Sequence, residues 1–178
     1  LTNISNGFGF VVSEGTRGES VFYLDEIKFE GDIIYNRNAP RMIRSYEVDL
    51  ATDSNGIYIM NAAFSYDNAL AAMAFMAAGK REQAQSILDA FMYAVKNDRY
   101  QSDRIRNAYA AGDIRAYPGW GVAARLPGWY DAQDKAYYED RYQVGTATGN
   151  TCYVALALLQ YHRLYGNDSY LELAGELM

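Results

Sequence analysis

Hydrophobic and polar residues alternate along this chain with two different periods. Near the start, Phe8-Gly9-Phe10-Val11-Val12 is a short aromatic and β-branched run, followed by the glycine-rich stretch Glu14-Gly15-Thr16-Arg17-Gly18. From Val21 to Phe29 the side chains Val21, Tyr23, Ile27 and Phe29 share one face, the period-two signature of a strand. Two strands alone are only marginally stable, so they call for partner strands from elsewhere. A polar connector follows from Gly31 to Ser45, where Asn36, Asn38 and Pro40 argue against regular structure.

The period then changes to that of a helix. Ser65 is a good N-cap, and Tyr66 to Ala78 is apolar almost all round, which predicts a helix buried on most sides. Gly79 is expected to end it in a left-handed conformation. Arg81 opens a second helix, over 81–96, whose apolar stripe of Ala84, Ile87, Leu88, Phe91, Met92 and Val95 leaves one wet face. The same order returns later: Thr151 to Tyr165 is apolar nearly all round, Gly166 ends it, and Ser169 begins a helix with Tyr170, Leu171 and Ala174 inside. A buried helix, a glycine and a half-exposed helix therefore occur twice. Each such αα-hairpin leaves its inner helix incompletely covered, so further copies are implied, stacked as an open solenoid or a closed toroid. In a toroid the inner helices run parallel, and the link from an outer helix to the next inner one lies at the inner helices' N-terminal ends.

Between the two hairpins lies the stretch 107–150, NAYAAGDIRAYPGWGVAARLPGWYDAQDKAYYEDRYQVGTATGN. Its length and weak periodicity mark it as functional or disordered, and its wealth of aromatic residues argues against disorder. Flat rings beside carboxylates and arginines suit a sugar, which offers apolar C–H faces and a rim of hydroxyls. Trp120 and Trp129 each follow a Pro-Gly pair, a turn signal that presents a side chain at a loop tip. Tyr130, Tyr66, Arg115 and Tyr142 join them as candidate substrate-binding residues. The alternative for the tryptophans is a small core beneath the loop.

Composition narrows the partners. A net charge of −6 offers no basic stripe for phosphates, which argues against nucleic acid. No apolar run reaches membrane-spanning length without a polar interruption. The single cysteine, Cys152, excludes an internal disulfide and sits among the apolar residues of a helix, as a small core residue would. The single histidine, His162, is placed to interact with a helix C-terminus. Gly145-Thr146-Ala147-Thr148-Gly149-Asn150 superficially suggests a phosphate loop but lacks the Gly-Lys-Ser/Thr ending; Thr148, Asn150 or Thr151 reads equally well as a helix N-cap, and nucleotide binding is rejected. With neither an initiator Met nor a signal peptide, and a stop at Met178 inside an expected helix, the chain is read as a piece of a longer protein.

Two segments resemble known families. SVFYLDEIKFEGD is similar to the closing strand of β-sandwich carbohydrate-binding modules, in which the aspartate at the position of Asp25 helps hold a structural calcium. SYDNALAAMAFMAAGKREQAQSILDAFMYA and YYEDRYQVGTATGNTCYVALALLQYHRLYGNDSYLELA resemble consecutive hairpins of the six-hairpin glycosidase superfamily. The resemblance implies a mainly α fold: a partial (α/α)6 toroid over 57–178, a linker over 33–56, and a β-sandwich remnant over 1–32. It implies an oligo- or polysaccharide partner, no cofactor for catalysis, and an extracellular or periplasmic setting.

Glycoside hydrolysis needs a proton donor and a second carboxylate. Among Asp67, Asp113, Asp131, Asp134, Glu139 and Asp140, we rank Glu139 and Asp113 first. Glu139 lies among tyrosines whose packing would desolvate a carboxyl and favour the protonated form a general acid needs. Asp113 precedes Arg115, which would keep it ionised and oriented. Alternatively, Glu139 and Asp140 pair with Arg141 or Arg115 and hold the loop. Asp67 is the third candidate, although an acid in a helix's first turn stabilises the dipole with or without a substrate. Rival readings are a non-catalytic glycan-binding protein, in which only the aromatics matter; a polysaccharide lyase using Tyr142 as base with Arg141 neutralising a uronate; and a helical-repeat scaffold, against which the long loop argues.

Overall fold

A computed structural model describes residues 39–49, 54–99, 104–115, 123–140 and 145–178. The expected N-terminal strands, Asp25, Trp120, Arg141 and Tyr142 lie outside these residues. Those described belong to one compact unit, Arg37–Met178. In chain order it contains strand β1 (Arg41–Met42), a 3-10 helix (Ser54–Tyr58), β2 (Ala62–Phe64), α1 (Ser65–Ala77) and α2 (Arg81–Asn97). The short strands β3 (Ala108–Ala110), β4 (Gly112–Asp113), β5 (Gly128–Asp131) and β6 (Ala136–Glu139) come next, then α3 (Thr148–Tyr165) and α4 (Asp168–Leu177). The four helices hold about half of the described residues.

Both helix pairs form where the apolar periods place them. Gly79 and Gly166 end α1 and α3 with φ of +70° and +73°, a region that side-chain-bearing residues seldom adopt. The two pairs pack on each other, α1 against α2 and α3, and α3 against α4. One continuous core joins Ala69, Ala72 and Met76 of α1 to Ile87, Leu88 and Phe91 of α2, Val154, Leu158 and Tyr161 of α3, and Tyr170, Leu173 and Ala174 of α4. Polar anchors sit at its edge. The buried Tyr170 donates its hydroxyl to Asp89 at 2.6 Å, and Tyr161 donates to Gln85 while accepting from Arg81.

Four local expectations need correction. Ser65 does not cap α1. It is the helix's first residue, and its hydroxyl donates instead to the Arg106 carbonyl, which ties α1 to the long connection. None of Thr148, Asn150 and Thr151 caps α3, whose N-cap position is Ala147. Leu171 is 43% exposed, and the inner stripe of α4 is Tyr170, Leu173 and Ala174. Cys152 is exposed rather than core. Helices α1 and α3 also keep an open side. Tyr66 and Leu70 on α1, and Leu156 and Leu164 on α3, are all exposed, because each helix has packing partners on only part of its circumference. His162, in the last turn of α3, has Nδ1 3.1 Å from the carbonyl of Asn167, the residue that precedes α4, and 3.6 Å from a carboxylate oxygen of Asp168.

The region read as a polar connector takes part in the packing. Ala39 and Met42 are buried, and Ser86 on α2 donates to the Ala39 carbonyl. Asn68 accepts from the Ile43 amide at 2.7 Å and donates back to the Ile43 carbonyl, holding this segment as a third strand would. The packed unit therefore starts well upstream of residue 57.

Candidate functional site

Among the described residues, the connection between α2 and α3 contributes strands to three short antiparallel ladders. β1 pairs with β4 (Arg41 opposite Asp113), β2 pairs with β3 (Ala63 opposite Tyr109), and β5 pairs with β6 (Trp129 opposite Tyr138). Two of these ladders join residues far apart in sequence, which is why strand periodicity within the connection is weak.

Asn107 organises the point where α1 and α3 begin. Its carbonyl accepts from the Ser65 amide, its amide donates to the Gly145 carbonyl, and its side chain accepts from Asn150 at 2.7 Å. The N-terminal ends of α1 and α3 thus lie together, and Tyr66 meets Tyr153 edge-on with ring centroids 4.6 Å apart. A hydrogen bond with Tyr153 keeps the Tyr66 proton in place and raises its pKa. Beneath, Arg106 and Asp98 form a buried bidentate ion pair, and the Arg106 amide donates to the buried Tyr109 hydroxyl. Desolvation is the largest influence on Tyr109 and drives its pKa upward.

The β5–β6 hairpin stands on this base. Asn61, just ahead of β2, accepts from the Gly128 amide and donates to the Tyr137 hydroxyl at 2.6 Å. Pro127-Gly128 is no turn: Gly128 opens β5, and a Cβ there would clash with the Tyr138 carbonyl oxygen. The turn is formed by Asp131 to Asp134, where Asp131 accepts from the amides of Gln133 and Asp134.

Side chains alternate across such a hairpin, so Trp129, Tyr138 and Asp131 share one face while Gly128, Tyr130, Tyr137 and Glu139 share the other. On the first face Trp129 stacks on Tyr138 with centroids 6.1 Å apart and 30° between planes. Tyr58 meets the Trp129 ring edge-on at 4.9 Å. Tyr58 and Tyr138 are exposed, and Trp129 is half-buried between them. The Tyr138 hydroxyl donates to Asp134 at 2.7 Å, a bond that raises its pKa and keeps it protonated. The result is a three-ring platform with carboxylates at its rim. Tyr58 and Tyr138 were not among the residues singled out from sequence. For Tyr138 the signal was available, since Trp-Tyr-Asp and Tyr-Tyr-Glu are separated by only five residues, a hairpin spacing. Tyr58 lies some seventy residues from its partner, and no local pattern links them.

The three candidate acids are separated. Glu139 is on the face opposite the platform and is ion-paired with Arg99, just past the end of α2. Asp113, on β4 opposite Arg41, is gripped by Arg115, which donates to it from its peptide N–H at 3.0 Å and from its guanidinium. Partial burial pushes the Asp113 carboxyl up, but the Arg115 hydrogen bonds and charge outweigh this and hold it below its usual 3.8. Asp67 sits half-exposed on the first turn of α1 beside Tyr66, and no hydrogen bond or ion pair engages its carboxylate among the described residues. Tyr130 is 58% exposed on the face turned away from Trp129, so the two rings do not form one surface. Among the described residues there is no cluster of side chains that could hold a metal ion, and no helix is long and apolar enough to cross a membrane.

No family model matches the chain, and no curated protein or solved structure proved similar to it.

Proposed function

We propose that this chain belongs to a carbohydrate-active protein built from stacked αα-hairpins, and that it binds a glycan on the Tyr58–Trp129–Tyr138 platform. The observation that carries this reading is the platform itself. Three aromatic rings are brought together by a hairpin and a 3-10 helix, on the open side of a packed unit, with hydroxyl and carboxylate groups at the edge. Packed rings of this kind stack on the C–H faces of a sugar, while rim acceptors take its hydroxyl protons. The exposed apolar stripe of α1 and α3 supports a larger ring of hairpins, because Leu70, Leu156 and Leu164 would be covered by further copies of the repeat.

The test is calorimetric titration of the chain with a panel of oligosaccharides. Trp129→Ala and Tyr138→Ala are expected to weaken binding by about 1–3 kcal/mol each, the scale of losing a large aromatic contact. Near-UV circular dichroism checks that the hairpin persists. Unchanged affinity accompanied by lowered stability would make the cluster a small core instead.

Hydrolysis is the second reading, favoured by one observation: Asp67 is the acid of the three whose carboxylate carries no ion pair among the described residues. Its place on the first turn of α1 puts it at the shared N-terminal ends of the inner helices, the end where the resemblance expects chemistry. In a protein that turns over glycan, Asp67→Asn should abolish turnover and spare binding. Glu139→Gln in the same protein should mainly lower stability, because its partner is Arg99. Loss of turnover in Glu139→Gln with unchanged melting would restore Glu139 as the acid.

A further inference from the structure

We propose that the platform selects glycans without acidic groups, neutral or amino sugars, and turns away uronates, with Asp134 and Asp131 as the residues that discriminate. This rests on the platform binding sugar at all, and adds the class of sugar.

The argument is one of charge placed at short range. Asp131 lies on the same face of the hairpin as Trp129 and Tyr138. Asp134 is bound to the edge of the platform by the Tyr138 hydroxyl at 2.7 Å, so its carboxylate is fixed beside the ring on which a sugar would lie. Asp131 is fixed too, because one of its oxygens accepts the amides of Gln133 and Asp134. The cation of this turn is Lys135, which leaves two carboxylates against one ammonium. Glu139 adds no net charge, since Arg99 neutralises it. Arg115 is committed to Asp113.

A neutral sugar gains from this arrangement. Each carboxylate is a pure acceptor with several lone pairs, and only part of that capacity is used within the hairpin. Sugar hydroxyls are the donors that complete it, in charge-assisted hydrogen bonds. An amino sugar gains also from charge attraction. A uronate brings a carboxylate to within several ångströms of two others, with no guanidinium of the hairpin to receive it. The same fact bears on the lyase reading, which requires a group to neutralise a uronate.

The experiment uses the intact chain and three chemically defined ligands of equal length: a neutral gluco-oligosaccharide, a glucosamine oligomer and an oligogalacturonate. Affinities are measured at low and at moderate salt. The expected result is binding of one or both of the first two and little of the third. Asp134→Asn and Asp131→Asn keep the turn, since an amide oxygen accepts the same bonds. Each should raise uronate affinity by about three- to tenfold at low salt, an effect that shrinks as salt screens it. Each should lower glucosamine affinity on the same scale. Oligogalacturonate binding as tightly as the neutral oligomer, or unaltered by both substitutions, overturns the selectivity while leaving the platform a sugar site. Binding of none of the three, together with self-association that Trp129→Ala abolishes, would assign the face to a second copy of the chain and overturn both readings.

Discussion

The buried ion pair between Arg106 and Asp98 is where a single charge should matter most for stability. The two side chains are 5% and 1% exposed, and Asp98 accepts from two guanidinium nitrogens. The Arg106 carbonyl accepts from Ser65 at the start of α1, and its amide donates to Tyr109 on β3. The pair therefore fixes the end of α2 to the start of α1 and the root of the long connection. Replacing Asp98 with Ala leaves a guanidinium in a dry site, and breaking such a pair costs about 3–5 kcal/mol. For a unit of this size that corresponds to a fall in melting temperature of roughly 6–20 °C. Arg106→Met removes the matching guanidinium from Asp98 at similar cost. The double variant removes both charges, so its loss should fall short of the sum of the singles by ~2 kcal/mol or more. Urea denaturation of the four proteins, followed by far-UV circular dichroism, closes the cycle. Additivity within about 0.5 kcal/mol would show that the two charges are not coupled, and the reasoning would fail.

Other expectations follow from single contacts. Gly128→Ala should cost at least about 1–3 kcal/mol and disorder the hairpin, because the new Cβ meets the Tyr138 carbonyl rather than a yielding side chain; tryptophan fluorescence of a well-folded Ala variant identical to wild type would refute the register. Asp113 is held below 3.8, so the folded state takes up its proton less readily than the unfolded chain. Its contribution is complete at neutral pH and disappears as pH falls below about 4. The stability gap between wild type and Asp113→Asn should therefore close on acidification, and a gap that stays constant with pH would contradict the ion pair. Tyr170→Phe should lose about 1–2 kcal/mol in thermal unfolding, because it leaves Asp89 without its 2.6 Å donor beside the core; an unchanged melting temperature would remove this bond from the account.

The four helices were legible because their signals are local. Gly79, Gly166 and the stripe of Ala84, Ile87, Leu88 and Phe91 each need only neighbours within one or two turns to be read. The cap of α1 was misplaced for a tertiary reason: Ser65 is the helix's first residue, where its hydroxyl reaches the Arg106 carbonyl, a group that sequence does not bring near. The strands were missed for the same cause. Ala62–Phe64 is too short to announce itself, and it becomes a strand because Ala108–Ala110 lies alongside. Of the site, Trp129 was picked out by its chemistry, but Tyr58 and Asn61 act on it from before α1, and only the fold joins them. The exposed stripe of α1 and α3 is the reverse case. Sequence asked for burial on most sides, and the described unit leaves Tyr66, Leu70, Leu156 and Leu164 exposed.

What the fold adds to the chemistry is a division of labour between the two faces of one hairpin. Aromatic residues and carboxylates crowd together in sequence from Trp129 to Asp140, which invites a single site that both grips and cleaves. Strand alternation divides that crowd. Trp129 and Tyr138 face one way with Asp131, while Glu139 faces the other and is spent on Arg99. Tyr137 on that second face is spent on Asn61. One face thus carries the bonds to Arg99 and Asn61, and the other carries the aromatic stack. A one-residue slip of β6 against β5 would exchange them, putting Glu139 beside Trp129 and Tyr138 into the scaffold. Two contacts oppose that slip, the Asn61 bonds to Gly128 and Tyr137, and the close approach of Gly128 to the partner strand. Asn61→Ala removes the first. If these bonds set the register, that variant should lose sugar binding in step with the ordered tryptophan signal, although Asn61 lies on the scaffold side of the hairpin. Full affinity in Asn61→Ala would mean that the hairpin's own pairing suffices.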